Sequence, residues 1–217
     1  MKYIIMCGGE YKRWNTPRQL LEIDGEPIVA RTIRLLKKCG VNDIAISSNN
    51  PVFEQFGVPV LKHDNHWEVY VKDKKLASNG SWLNAFYLTD YPVCYLMGDV
   101  VFSLNAIKTI VETETTDIQF FASAPPFAKE YFKKHAEPFA FKVVNTGKFK
   151  RSIDKTKEYE KKDLFLRTPI AWELWQVIEN SPLNFIFYGN YVAINDYTCD
   201  IDTEADLQKF QDIDTRC

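Results

Sequence analysis

Residues 1–6 (MKYIIM) make a short apolar run that stops on Cys7-Gly8-Gly9, with Arg13 and then Pro17-Arg18-Gln19-Leu20 soon after. Hydrophobicity that is continuous rather than alternating marks a strand buried on both faces, which restricts the chain to folds with a covered, mainly parallel sheet. Glycines at such a strand end let backbone N–H groups approach anionic oxygens, and spaced arginines offer planar, permanently charged forks. Together they are a device for holding a polyphosphate. A glycine pair after a strand is also, by itself, a plain tight turn, so the reading depends on what else the chain carries.

The rest of the chain continues the alternation. Residues 27–39 (PIVARTIRLLKKC) have helical spacing, with Pro27 suited to the first turn and Gly40 to the stop. Strands are expected at 43–48 and 58–62, so the opening reads as a βαβ unit with a right-handed crossover. A helix is expected over 79–88, a buried strand over 93–97 closing at Gly98-Asp99, a helix capped by Ser103 to about Glu112, and a strand over 118–124. Beyond Pro125-Pro126 the pattern loosens. Residues 139–144 read as a strand, Asn145-Thr146-Gly147 as a turn, and 148–153 as the returning strand. The charge-rich run 155–162 reads as a solvated loop or helix face. A helix over 169–179, a strand over 191–194 and a last helix capped by Thr203, with Asp206 as a first-turn charge, complete the chain. The expected fold is a three-layer α/β/α sandwich around a mostly parallel, Rossmann-like mixed sheet. In such folds ligands gather at the C-terminal strand ends, where Cys7-Gly8-Gly9 and Gly98-Asp99 both fall.

Composition narrows the function. The length of 217 residues suits one domain, 1–217, with 125–190 as the portion that binds an acceptor, and no linker divides it. A net charge of -2 argues against a general nucleic-acid binder. Five dispersed cysteines without a C-x-x-C fit reduced thiols, and no apolar run reaches membrane-spanning length, so a cytoplasmic protein is expected. His63, His66 and His135 lack metal-ligand spacing.

The order of these features carries a family resemblance. Residues 3–46 (YIIMCGGEYKRW…PRQLLEIDGEPIVARTIRLLKKCGVNDIAI) resemble the opening of the nucleotidyltransferase superfamily with the GT-A-like fold. Its members include cytidylyltransferases, sugar-phosphate pyrophosphorylases and molybdenum-cofactor guanylyltransferases. The likeness resumes at Leu96-Met97-Gly98-Asp99 and at Asp200-Ile201-Asp202-Thr203-Glu204-Ala205-Asp206-Leu207. It implies an enzyme in which a substrate phosphate oxygen attacks the α-phosphorus of a nucleoside triphosphate and pyrophosphate leaves, helped by Mg²⁺. Such a transfer needs alignment and charge neutralisation more than a covalent nucleophile.

On this resemblance Arg13, Arg18 and Asp99 are the catalytic candidates. Arg13 matches the loop arginine that holds the β- and γ-phosphates. Arg18 stands where the family has a lysine, and a guanidinium is not equivalent to an ammonium. Cys7, Gly8, Gly9 and Gly98 would line the triphosphate, and Lys12 is either a further phosphate contact or a solvated loop lysine. Tyr11 replaces a second loop glycine, so the loop must close differently. Asn79, Gly80 and Ser81 fall where cytidylyltransferases read the pyrimidine, and equally suit a helix entry. Asp99 and Asp202 match the two Mg²⁺ ligands; Asp200 shares a face with Asp202 if the segment is extended and stands as the alternative. Glu137, Lys155 and Arg167 are the acceptor candidates.

The expected partners are therefore a nucleoside triphosphate, CTP favoured, and a phosphorylated small-molecule acceptor such as a sugar phosphate. Neither nucleic acid nor membrane is expected, and a homodimer is common among relatives. Two other readings stay open: a glycosyltransferase of the same fold using a nucleotide sugar, and a nucleotide-binding module without catalysis.

Overall fold

The computed structural model describes residues 1–8, 14–62, 69–71, 74–76, 81–125 and 136–210, with the backbone alone for 69–71, 74–76 and Ser81. Its strands and helices in chain order begin with β1 (Lys2–Met6), β2 (Glu22–Ile23), β3 (Glu26–Pro27), α1 (Ile28–Lys38), β4 (Ile44–Ser47) and β5 (Val60–Leu61). There follow β6 (Val69–Val71), β7 (Lys74–Leu76), α2 (Ser81–Asn84), β8 (Val93–Met97), β9 (Val100–Val101), α3 (Leu104–Glu112) and β10 (Ile118–Ser123). The second half adds β11 (Glu137–Val143), α4 (Thr146–Lys161), α5 (Ala171–Ile178), β12 (Val192–Ala193), β13 (Cys199–Asp200) and α6 (Glu204–Lys209).

Among the described residues the central sheet has seven strands in the order β12-β10-β11-β8-β1-β4-β5. β1 pairs in parallel with both β4 and β8, β4 with β5, and β10 with β12. Only β11 runs against its neighbours, β10 and β8. This is the mostly parallel mixed sheet expected from the sequence. Ile4 and Ile5 are wholly buried, the burial on both faces that the unbroken apolar run requires.

Local chemistry sets the element ends. Helix α1 closes with Gly40 at φ +81°, whose N–H donates to Lys37 O at 2.9 Å while Val41 N–H donates to Leu36 O at 3.0 Å. That is a Schellman stop, and it needs the left-handed conformation glycine adopts without strain. The turn between β2 and β3 uses Asp24 and Gly25, both at positive φ, the two-residue geometry that fits the twist of a hairpin. Ser103 caps α3 as the sequence predicts, its hydroxyl accepting from Ala106 N–H at 2.8 Å.

Two expectations are corrected. Residues 148–153 do not return as a strand: they lie inside the sixteen-residue helix α4. Asn145, read as part of a turn, is the helix N-cap, its side chain accepting from Lys148 N–H at 3.0 Å. Phe149, Ser152, Ile153, Thr156 and Glu160 are buried, which is helical spacing along one face. The charge-rich run 155–162 is largely the outer side of that helix, which ends at Lys161. The helix expected over 79–88 shrinks to Ser81–Asn84, its first two positions lying outside the described residues. Phe86 instead enters an aromatic cluster, 5.0 Å from the Tyr95 ring and 5.1 Å from that of Phe149.

The main core runs along the sheet. In its second half Phe120 stacks on Phe141 at 4.5 Å and meets Trp172 and Trp175 of α5 at 5.0 and 5.5 Å. A separate small core joins chain ends that are far apart in sequence: Ile23, Ile28, Val101, Ile201 and Phe210, with Trp14, Leu21, Tyr197 and Leu207 against them. Burial of these side chains carries the late segment 199–210 onto the early loop and hairpin.

Candidate functional site

The ends of β1 and β8 meet at the C-terminal edge of the sheet. Gly98 N–H donates to Met6 O at 3.1 Å, and a Cβ at Gly98 would lie only 2.2 Å from that oxygen. No side chain fits there, so glycine is what lets the strand bearing Asp99 close on the strand bearing Cys7-Gly8. Ser48 Oγ donates to Cys7 O at 2.9 Å, and Cys7 N–H donates to Ser47 O at 2.9 Å, fixing the entry to the glycine loop. The Cys7 side chain is fully buried, and burial, with the charge of Asp99 added, pushes its thiol pKa well up. Its contribution to a ligand is limited to backbone.

Asp99 follows this closure. β9 and β13 then pair antiparallel, Val100 with Asp200 and Val101 with Cys199. Ile201 N–H donates to Asp99 O at 3.1 Å, so Asp99 and Asp202 are registered by backbone hydrogen bonds although they lie 103 positions apart in the chain. Arg18 reaches the pair from a short 3₁₀ turn, Arg18–Leu20, started by Pro17. Its Nη2 is 2.7 Å from Asp99 Oδ2, its Nη1 pairs with Asp202 Oδ1, and Nη1 also donates to Ile201 O at 3.1 Å. The side chains of Arg18, Asp99 and Asp202 are 27%, 21% and 63% exposed, so the group is shielded on one side and open to ligand on the other.

Charge in this corner is unbalanced. Burial raises the Asp99 carboxyl pKa, Arg18 pulls it back, and the net direction is up. Asp200 is pushed well above the usual carboxylate range by burial and then by the charges of Glu137, Asp99 and Asp202, which Arg18 only partly offsets. Glu137 therefore belongs to the same corner, at the start of β11 and in register with Ser123 on β10. Ser123 Oγ is buried and makes no hydrogen bond among the described residues. The chain gives no sequence signal for Ser123, nor for Ser48, because only the strand register brings them here. Asp206 stays apart from the corner as a helix-cap partner, its carboxylate taking Thr203 N–H at 2.9 Å.

The other expected positions divide. Gly9, Lys12, Arg13, Asn79 and Gly80 lie outside the described residues, as does the side chain of Ser81. Lys155 is exposed on α4 with its ammonium 5.3 Å from the Tyr159 ring. Arg167 donates to Glu173 Oε1 at 2.6 Å, and Glu173 is a buried residue that caps α5 through Ile170 N–H. The contacts that engage these two cations are the Tyr159 ring for Lys155 and the buried carboxylate of Glu173 for Arg167.

Hard carboxylate oxygens under surplus negative charge fit a Mg²⁺ ion. Among the described residues no three His, Cys, Asp or Glu side chains form a ready cage. A pair of carboxylates whose other ligands are water and substrate phosphate is the ordinary way this ion is held.

Comparison with solved structures gives the same architecture at low identity. A candidate glucose-1-phosphate thymidylyltransferase from Bacillus anthracis, in complex with a sucrose, is 15% identical, with 98% of this chain and 96% of that one aligned at a TM-score of 0.59. The CTP:phosphocholine cytidylyltransferase of Streptococcus pneumoniae is 17% identical over 97% of both chains at a TM-score of 0.54. HddC from Yersinia pseudotuberculosis is 16% identical over 96% of both at 0.50. Among the described residues no helix is long and apolar enough to cross a membrane. Residues 3–123, which hold the glycine loop, Arg18 and Asp99, match the MobA-like NTP transferase domain, and the chain thus belongs to that family of nucleotidyltransferases.

Proposed function

We propose that this nucleotidyltransferase moves a nucleoside monophosphate, CMP by preference, from a triphosphate to a phosphorylated small metabolite, with Mg²⁺ as cofactor. The observation that carries the reading is the meeting of Arg18, Asp99 and Asp202 at the C-terminal sheet edge. One cation and two acids drawn from three separated segments suit an anionic substrate that arrives with a metal ion. The solved relatives support an acceptor that already bears phosphate, since two of them are described by glucose 1-phosphate and phosphocholine.

In the reaction an acceptor phosphate oxygen attacks the α-phosphorus and forms a new P–O bond. The bond from the α-phosphorus to the α–β bridging oxygen breaks, and its electrons leave with pyrophosphate. Arg18 neutralises charge on the triphosphate, and the Cys7-Gly8-Gly9 backbone lets the phosphates come close. Arg13 and Lys12 are assigned to the β- and γ-phosphates, and Asn79, Gly80 and Ser81 to the base. Asp99 and Asp202 would hold Mg²⁺, which when bound neutralises triphosphate oxygens. Glu137, in the acid corner, is assigned to the acceptor.

Pyrophosphate release tests this. Each of the four triphosphates is offered with a panel of phosphorylated sugars, polyols and choline-type headgroups, with Mg²⁺ or with EDTA. Release that needs Mg²⁺, one triphosphate and one acceptor is the expected result. Nucleoside diphosphate or monophosphate released from a nucleotide sugar would move the chain to glycosyl transfer.

A further inference from the structure

Arg18 does more than neutralise the carboxylates: it spans them. One amino nitrogen lies on Asp99 and the other on Asp202, while the nitrogen on Asp202 also takes Ile201 O at 3.1 Å. The fork holds each carboxylate on a separate nitrogen of one rigid plane. A Mg²⁺ ion gathers its oxygens to a single point, at about 2.1 Å, and placed between the same two acids it would sit against a like charge. A lysine in this place would be a compact point charge, whereas the guanidinium reaches both acids at once.

Without Arg18, Asp99 and Asp202 would face each other with Asp200 and Glu137 close by, all acids by type. Asp202 follows β13 on backbone with no regular structure, and the Arg18 fork holds its side chain opposite Asp99, beside the hydrogen bond from Ile201 N–H and the burial of Ile201. The fork is thus both a clamp and an occupant.

We propose that Arg18 is the resident counter-ion of the carboxylate pair. It keeps Asp99 and Asp202 assembled before substrate arrives, and it must leave at least one of them before a divalent cation can bind between them. A triphosphate offers the departing guanidinium paired oxygens of its own, so metal and nucleotide bind as a coupled set and each alone binds weakly. The inference rests on the reading of Asp99 and Asp202 as the metal-binding pair.

Mn²⁺ is the probe, titrated by electron paramagnetic resonance into the full chain without nucleotide. Arg18→Gln is expected to bind Mn²⁺ at least tenfold more tightly than wild type, and adding Asp99→Asn is expected to remove the gain. Arg18→Lys keeps the charge and loses the fork; it is expected to gain at least threefold, and it carries the test if the glutamine variant melts too low to use. Unchanged Mn²⁺ affinity in Arg18→Gln overturns the proposal. So does a lysine variant equal to wild type, because charge alone would then account for any gain. Binding that depends on Asp99 and not on Arg18 sinks the counter-ion role alone, whereas binding indifferent to Asp99 in every background removes the metal pair as well.

Discussion

The two ends of the acid corner differ in how they are built. At the end we assign to the nucleotide, Arg18, Asp99 and Asp202 are presented by a tight turn and two strand ends, and a two-strand pairing with its own small core sets their register. At the end we assign to the acceptor, Glu137 comes from a strand. Of the two cations expected there, Lys155 lies on α4 over a tyrosine ring, and Arg167 lies in the segment between α4 and α5, paired with a buried glutamate. Chemistry placed at strand ends is fixed by backbone hydrogen bonds and converges. Chemistry placed on a helix face or in a connecting segment follows the local contacts that neighbouring side chains offer it.

The sharpest break between the two ends is expected in turnover. Asp99→Asn should lower kcat/KM for pyrophosphate release by about 100-fold or more, the scale seen when a charge-stabilising group is removed, while Glu137→Gln should act mainly on acceptor KM. Equal effects on both parameters in the two variants would erase the distinction.

Stability gives the next contrast. Phe149→Ala should cost about 3–5 kcal/mol in urea unfolding, since Phe149 is buried and touches Tyr95, Phe86 and Phe141. Gly98→Ala should cost about 1–3 kcal/mol, because its Cβ collides with backbone rather than with a side chain that can turn aside. Only the glycine variant is expected to lose nucleotide affinity at a temperature where both are folded, since it parts the two strand ends.

Arg167→Ala should lower stability by about 1–3 kcal/mol, because Glu173 is left buried without its cation. A tenfold rise in acceptor KM at unchanged stability would instead return Arg167 to the acceptor site. The smallest effect is set by Asp206. Burial alone would raise its carboxyl, but hydrogen bonds from Lys209 and Thr203 outweigh that and hold it below its usual pKa. This stabilisation is present at neutral pH and is lost as pH falls through the lowered value. Asp206→Asn should therefore cost about 1 kcal/mol at pH 7 and progressively less in acid, read from melts across that range.

Much of the first half was legible because its rules are local. A short unbroken apolar run closed by glycines reads as a doubly covered strand, Gly40 can stop a helix at no steric cost, and a serine before an apolar-periodic stretch caps it. The second half misled where two local rules compete. Asn145-Thr146-Gly147 satisfies a hairpin turn and a helix start equally, and only the burial of Phe149, Ile153 and Thr156 on one side decides for the helix.

The same division holds for the site. By itself the chain determined that a glycine-lined strand end, an arginine-bearing loop and an acid after a buried strand would be present, because each is a property of a few neighbouring residues. Which acids share one cation, that Arg18 spans them, and that Glu173 holds Arg167 were decided by tertiary structure alone. Strand order, register and the small core joining residues near 23 to those near 201 act between segments far apart in sequence. No short stretch of residues carries that information, since it exists only once the two ends of the chain bury the same side chains.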